Sequence, residues 1–404
     1  MAFDVIDMCT CRWNGGSEGR RLRSSSLVTG ANGISGHAIV EHLIRTPKDE
    51  WAEIIVTSRK PPRNFWVDPR VRFISLDFLE DPATLVPQIK DICKNVTHAI
   101  FTSYIHDSDL SKLGEKNCPL FRHFLEAVDS ACPLLERVCL QTGGKHYGIQ
   151  FQPITTPCYE DSPRYTGPGS ETIFYYKQED DLFELQKRRN RNTWDYNIIR
   201  PFGIIGYTPQ FSGMNEALPL AQYFLICRER NEPPVFPGNY AGWHQVEMQS
   251  YAPSIADMSI WASATPAARN QAFNHGNGDP VIWRFLWEYL VQYFYPLGVV
   301  NIEDCAPGAA QTEKQVDLAT WVKDKKSVWE KIVARDGGMI ESFQEHSFAL
   351  MDGLLSRKTP GCEFMASVRK ARGLGWARWD DSYEGWGEVL RGYENAGVLP
   401  RLQR

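Results

Sequence analysis

The segment Leu27-Val28-Thr29-Gly30-Ala31-Asn32-Gly33-Ile34-Ser35-Gly36 constrains the fold of this chain more than any other stretch. A β-rich run enters three glycines spaced GxxGxxG, and a helical period leaves them. Gly30 permits a tight turn, Gly33 lets a diphosphate approach the backbone, and Gly36 lets a helix pack closely on a strand. The first turn of such a helix offers unpaired N–H groups to an anion. The segment therefore predicts the opening of a dinucleotide-binding βαβ unit.

The pattern that follows agrees. Short β-rich runs at 26–29, 53–57, 71–75, 98–102, 137–141 and 197–200 alternate with helical periods at 36–45, 82–92, 115–131 and 175–190. Alternation of this kind predicts an α/β fold, a Rossmann-type doubly wound parallel sheet over 24–204. Residues 1–23 carry no such pattern and read as a flexible N-terminal arm. After Pro201 the alternation fades into mostly helical, Trp- and Tyr-rich pieces. We expect 205–404 to form a smaller, mainly helical substrate-binding region that partly threads back onto the sheet.

The end of the second strand discriminates between NAD and NADP. A carboxylate there binds a ribose 2′-OH, whereas an arginine accommodates a 2′-phosphate. The chain reads Val56-Thr57-Ser58-Arg59-Lys60. A hydroxyl at Ser58 and a guanidinium at Arg59 suit the phosphate, so NADPH/NADP is the expected cofactor. Asp77 and Phe78, just past the third strand, stand where an adenine is held.

Whole-chain properties narrow the classes. A net charge of −5 gives no general attraction to nucleic acid or to anionic membranes. The most apolar window, 285–300, is broken by Glu288, Gln292 and Pro296, so no membrane span is expected. Asp4 and Asp7 interrupt the N-terminus, and no signal peptide is expected there. Ten cysteines lie scattered without metal-ligand spacing, which reads as reduced thiols in a cytoplasmic protein with no metal. A homodimer is an open expectation.

Two segments carry candidate chemistry. Ordinary short-chain dehydrogenases place a lysine four residues after a catalytic tyrosine. Here Phe174-Tyr175-Tyr176-Lys177-Gln178-Glu179-Asp180 puts a carboxylate there instead, which would raise a phenol pKa rather than lower it. A cation must then come from elsewhere. Gln141-Thr142-Gly143-Gly144-Lys145-His146-Tyr147-Gly148 follows the fifth strand, and strand ends are where ligands sit in open α/β sheets. Tyr176 and Tyr147 are rival phenols that read more simply as core tyrosines. His146 is a candidate proton relay that reads more simply as a packed side chain.

Thr-Gly-x-Lys-His-Tyr followed by Phe-Tyr-Tyr-x-x-Glu-Asp resembles the progesterone 5β-reductase/iridoid synthase family, which are atypical extended short-chain dehydrogenases reducing the C=C bond of enones with NADPH. Asn95-Val96-Thr97-His98, Ile199-Arg200-Pro201 and Ala272-Phe273-Asn274 belong to the same likeness, which runs from about 27 to 280. The resemblance implies catalysis by Lys145 and Tyr175. It places cofactor contacts on Asn32, Gly33, Ile34, Ser58, Arg59, Asp77, Phe78, Thr102, Gln141, Ile204 and Ser212-Gly213-Met214. It also puts Phe151 in the substrate pocket. The chain departs from the family pattern at Tyr104, where a tryptophan is usual, which makes Tyr104 a candidate substrate contact. An amphipathic period over 340–358, including Phe348, would suit either a lid on the pocket or a core helix. On this basis a small hydrophobic enone or enal is the expected substrate, its β-carbon taking hydride while Tyr175 stabilises the enolate oxygen. A carbonyl reductase, or a non-redox cyclase, isomerase or sensor on the same scaffold, are the alternatives.

Overall fold

The computed structural model describes residues 24–63, 66–107, 109–188, 194–210, 215–296, 300–310, 313–356 and 363–402. Seven parallel strands form one sheet: β1 (Ser24–Thr29), β2 (Trp51–Ser58), β3 (Val71–Ser75), β4 (His98–Phe101), β5 (Arg137–Gln141), β6 (Asp195–Pro201) and β7 (Gln271–His275). Their order is β7-β6-β5-β4-β1-β2-β3. The order reverses beside β1, between β2 and β4, and a crevice opens outside the strand ends at such a switch point.

Alternate side chains of the strands feed two different cores. Leu27, Ile55, Ala99, Phe101, Val138 and Leu140 pack on one face. That face is covered by three helices, Pro82–Ile89 (α2), Leu113–Ala131 (α3) and Tyr175–Arg188 (α4), which contribute Leu85, Phe121, Phe124 and Leu182. Val28, Val56, Ile100, Cys139 and Ile199 point to the other face. There they meet Ile39 and Val40 of α1 (Ile34–Arg45) and Ile255 of the helix Ala252–Ala264. Burial on both faces explains why these strands read as nearly continuous apolar runs.

The six strands and four helices expected from the sequence lie where their patterns put them, with small end differences. The fourth strand stops at Phe101 rather than at 102, because Thr102 Oγ1 turns to donate to the Thr29 carbonyl at 2.6 Å. Of the helix expected over 175–190, residues 189 and 190 lie outside the described residues, as does the whole arm 1–23.

Most of the chain beyond 205 builds a third, helical core. Trp283 and Trp287 of the helix Trp283–Phe294, Trp329 of Lys326–Asp336 and Trp386 of Ser382–Asn395 are all fully buried in it. The aromatic richness of this half therefore serves packing. Three elements return to the sheet: the helix Ala252–Ala264, which packs on α1, the strand β7, which pairs with β6, and the short helix Arg369–Gly373, which packs on β7.

Candidate active site

The glycine turn has the geometry that its residues dictate. Gly30 has φ +67°, and a Cβ there would meet the Thr102 backbone at 3.0 Å. Its carbonyl accepts from Gly33 N at 2.8 Å. A Cβ on Gly36 would lie 2.3 Å from that same carbonyl oxygen, so any side chain there would force helix and turn apart. Ile34 starts α1 directly beyond the turn.

Four strand ends converge on this turn. Thr102, after β4, is bonded to Thr29 through both its hydroxyl and its N–H. Gln141, ending β5, donates from Nε2 to Ser35 Oγ at 2.9 Å, while its buried Oε1 has no hydrogen-bond partner. Asn32 donates to the Lys60 carbonyl at 2.8 Å and likewise leaves a buried Oδ1 unpartnered. Ser58 Oγ donates to that same carbonyl at 2.6 Å. Arg59 is exposed and has no ion-pair partner among the described residues. Ile204 sits on the short strand Ile204–Ile205, and two residues on, a Cβ at Gly206 would lie 3.2 Å from Ile34. Unspent buried acceptors beside a helix N-terminus fit a nicotinamide dinucleotide.

Asp77 and Phe78 follow β3 and both make contacts within the fold. Asp77 Oδ1 accepts from Leu79 N at 3.0 Å and so caps its own turn. The Phe78 ring is buried edge-on against Phe124 at 5.4 Å, committed to the core under α3. Ser212, Gly213 and Met214 lie outside the described residues.

Lys145 and Tyr175, thirty positions apart, line one narrow cleft together with Leu113, Gln150, Thr172, Ile173 and Phe174. Lys145 rides on a single 3-10 turn, Gly144–Tyr147, that leaves the end of β5. Burial lowers its pKa, and no carboxylate pairs with it among the described residues. Tyr175 opens α4. Its hydroxyl lies 3.4 Å from where a Cβ on Gly143 would stand, which puts the phenol in contact with the turn that leads to Lys145. Burial, with a smaller contribution from Tyr104, raises the Tyr175 pKa and keeps the phenol protonated at neutral pH. Tyr104 packs its ring 6.0 Å from that of Phe174, and burial pushes its own pKa up to about 12.

The carboxylate that replaces the usual lysine turns away from the phenol. Glu179 Oε1 lies 3.0 Å from Arg200 Nη2 and 3.2 Å from His146 Nδ1, and Oε2 lies 3.3 Å from Arg164 Nη2. Burial would raise its pKa, but the bonds and charges of His146 and Arg200 hold it down to about 2. Tyr176 Oη donates to the His146 carbonyl at 2.5 Å and accepts from Tyr165 N at 2.8 Å. Tyr147 Oη donates to Asn274 Oδ1 at 2.6 Å. Both rival phenols are therefore engaged in holding the loop.

The remaining candidates divide. Phe151 stacks on Tyr165 at 5.5 Å, one residue from the cleft-lining Gln150. Phe348 is fully buried in the helical core, with its ring 5.3 Å from Phe343 and 6.1 Å from Trp321, and is not among the residues lining the cleft. The expected long helix is also divided, into a 3-10 turn Ile340–Ser342 and a helix Glu345–Leu355, and residues 357 and 358 lie outside the described residues. Leu113, Gln150, Thr172 and Ile173 were not anticipated. Gln150 alone had a signal, its place next to Phe151.

A family model described as a PRISE-like Rossmann-fold domain matches residues 26–351. This chain belongs to that family. Among relatives of the PRISE-like chain, a "Short chain dehydrogenase gsfE" from Penicillium aethiopicum is 40% identical over 94% of this chain and all of its own. A "3-oxo-Delta(4,5)-steroid 5-beta-reductase" from Arabidopsis thaliana is 33% identical, with 77% of each chain covered. The Bordetella bronchiseptica enzyme WbmH, solved in complex with NAD+, shares the fold with a TM-score of 0.62 at 14% identity, covering 94% of this chain and all of its own. The PRISE-like chain is thus an enzyme, an oxidoreductase of the short-chain dehydrogenase/reductase type, with a Rossmann nucleotide-binding domain, and a reductase of a carbonyl-related substrate. Among the described residues no helix is long and apolar enough to cross a membrane.

Proposed function

We propose that this enzyme uses NADPH to reduce the C=C bond of an α,β-unsaturated carbonyl. The observation that carries the reading is the pairing of a protonated phenol, Tyr175, with an unpaired, desolvated Lys145 in one small, mostly apolar cleft beside the strand ends. When bound, a reduced nicotinamide dinucleotide supplies hydride to the substrate. Tyr175 donates a hydrogen bond to the carbonyl oxygen, where negative charge grows as the β-carbon is reduced, and so stabilises the enolate, which becomes the saturated ketone by taking a proton from solvent at its α-carbon. Lys145 contributes positive potential beside that oxygen and a donor toward the nicotinamide ribose. The mostly apolar lining keeps water away, so each charge interaction acts at low dielectric. Tyr104 and Phe151 are proposed to shape a small hydrophobic substrate.

Oxidation of NADPH in the presence of cyclic and steroid-like enones, with matched saturated ketones alongside, tests this reading. Saturated ketone products from the enones support it, and turnover confined to the saturated ketones refutes it. The second reading, carbonyl reduction, draws on the same Tyr175 and Lys145, which could equally serve an alkoxide.

The preference for NADPH is assigned to Arg59, exposed and unpaired at the end of β2. Replacing it with alanine is expected to weaken NADPH binding by about 10-fold or more, the loss of a charge-assisted contact worth roughly 1.5–3 kcal/mol. Affinity for NADH should stay unchanged, and titration of cofactor fluorescence measures both. Equal weakening toward NADH would remove Arg59 from this role.

Burial lowers the Lys145 pKa, so its positive charge is lost on raising the pH sooner than for an exposed lysine. We expect kcat to fall on the alkaline side below about pH 10.4, the ordinary lysine value. Lys145→Arg, which keeps its charge, should move that fall to higher pH. A limb unchanged in the arginine variant would assign it to another group.

With seven free thiols among the described cysteines, Cys93, Cys118, Cys132, Cys139, Cys158, Cys227 and Cys305, a reducing, cytoplasmic setting is the reading we favour.

A further inference from the structure

We propose that Glu179 is the positioning residue of this site, tying the turn that carries Lys145 to the helical turn that carries Tyr175. The inference rests on the proposed roles of those two residues and adds what keeps them in register.

His146, the residue after Lys145, meets the first turns of α4 at two points. Its carbonyl accepts from Tyr176 Oη at 2.5 Å, and its buried ring Nδ1, which completes no hydrogen bond, faces Glu179 Oε1 at 3.2 Å. Tyr175, Tyr176 and Glu179 belong to one short stretch of one helix, so a shift of the lysine turn relative to the phenol must break one of these contacts. Glu179 is in turn fixed from the sheet by Arg200 of β6 at 3.0 Å. Arg164 closes the cluster at 3.3 Å, and also pairs with Asp180 at 2.9 Å. Arg200 extends the brace to the other end of the turn, since its Nη1 reaches Tyr147 Oη at 3.3 Å and the Glu160 carbonyl at 3.1 Å.

Glu179 and Arg200 are both almost wholly buried, and removing one partner of such a pair costs far more than the pair contributes to stability. A buried carboxylate with three cationic or ring partners, in the position where other short-chain dehydrogenases hold lysine, is an expensive way to pack a loop. Its contribution here is geometric: Lys145 follows Gly143 and Gly144 on a single 3-10 turn, and misplacement of a reacting group by about 1 Å can cost roughly 100-fold in rate.

The test combines Glu179→Gln with Lys145→Met, using NADPH and cyclohexenone as probe. The glutamine variant should lower kcat by about 10- to 100-fold and leave the KM for NADPH within about twofold. The double variant should be no slower than Lys145→Met alone, because a residue that acts only through the lysine has nothing left to position. Losses that multiply in the double variant, or full kcat in a folded Glu179→Gln, would overturn the proposal. Should Glu179→Gln fail to fold, Tyr176→Phe breaks the other contact to His146 without touching the charge cluster, and the same comparison applies.

A second readout needs no turnover and so separates failure of this proposal from failure of the enone reading. Lys145 can be titrated by carbon-13 NMR after reductive methylation, its signal assigned by its absence in Lys145→Met. Burial is what lowers its pKa, and a loosened turn admits water. The Lys145 titration should therefore move up toward the ordinary lysine value in Glu179→Gln. An unmoved titration would show that Glu179 does not hold the turn.

Discussion

Replacing Tyr175 with phenylalanine is expected to lower kcat for enone reduction by about 100- to 1,000-fold, the cost of removing one preorganised donor to a developing oxyanion. Affinity for NADPH should stay within about twofold. The split follows from the geometry: Tyr175 faces the cleft above Gly143, whereas the glycine turn, Gln141 and Asn32, which we propose hold the cofactor, lie at the neighbouring strand ends. The buried phenol, with its raised pKa, stays protonated through the neutral range, so it acts as a donor and its loss cannot be offset by raising the pH. Stopped-flow measurement of NADPH oxidation gives kcat, and quenching of protein fluorescence gives the affinity. A Tyr175→Phe enzyme with wild-type kcat would remove the phenol from the mechanism.

Phe348→Ala is expected to reduce the free energy of unfolding by about 3–5 kcal/mol, the usual cost of deleting a large aromatic ring from a packed core. The ring is fully buried against Phe343 and Trp321, in the same core as Trp287 and Trp329. The surviving folded fraction should keep its kcat, since Phe348 does not line the cleft. Denaturant titration measures the first effect and turnover at low temperature the second. A stable Phe348→Ala protein with altered substrate selectivity would return this residue to the pocket.

These two residues also mark how far the sequence could be read. The sheet was legible because its strands are buried on both faces and its glycine turn admits few alternatives. Lys145 and Tyr175 were legible because each sits in a short motif at an element end, Lys145 after β5 and Tyr175 opening α4. Phe348 was not, because an amphipathic period reports only that one face of a helix is covered, and a lid and a core helix satisfy it equally. Glu179 was legible as a departure from the usual lysine, but its direction was not. Helical spacing puts it one turn from Tyr175, yet only the placement of Arg200 and His146 shows that its charge is spent away from the phenol. Leu113, Thr172 and Ile173 reach the cleft through tertiary packing, and no local pattern distinguishes them from other apolar or hydroxyl residues.

The central claim is that hydride goes to the β-carbon of a conjugated carbonyl. It is tested most directly by reducing an enone with NADPH carrying deuterium at the nicotinamide C4 and locating the label in the product by NMR. The account expects deuterium on the carbon β to an intact carbonyl, in a saturated ketone. Deuterium on the former carbonyl carbon, in an allylic alcohol, would contradict it.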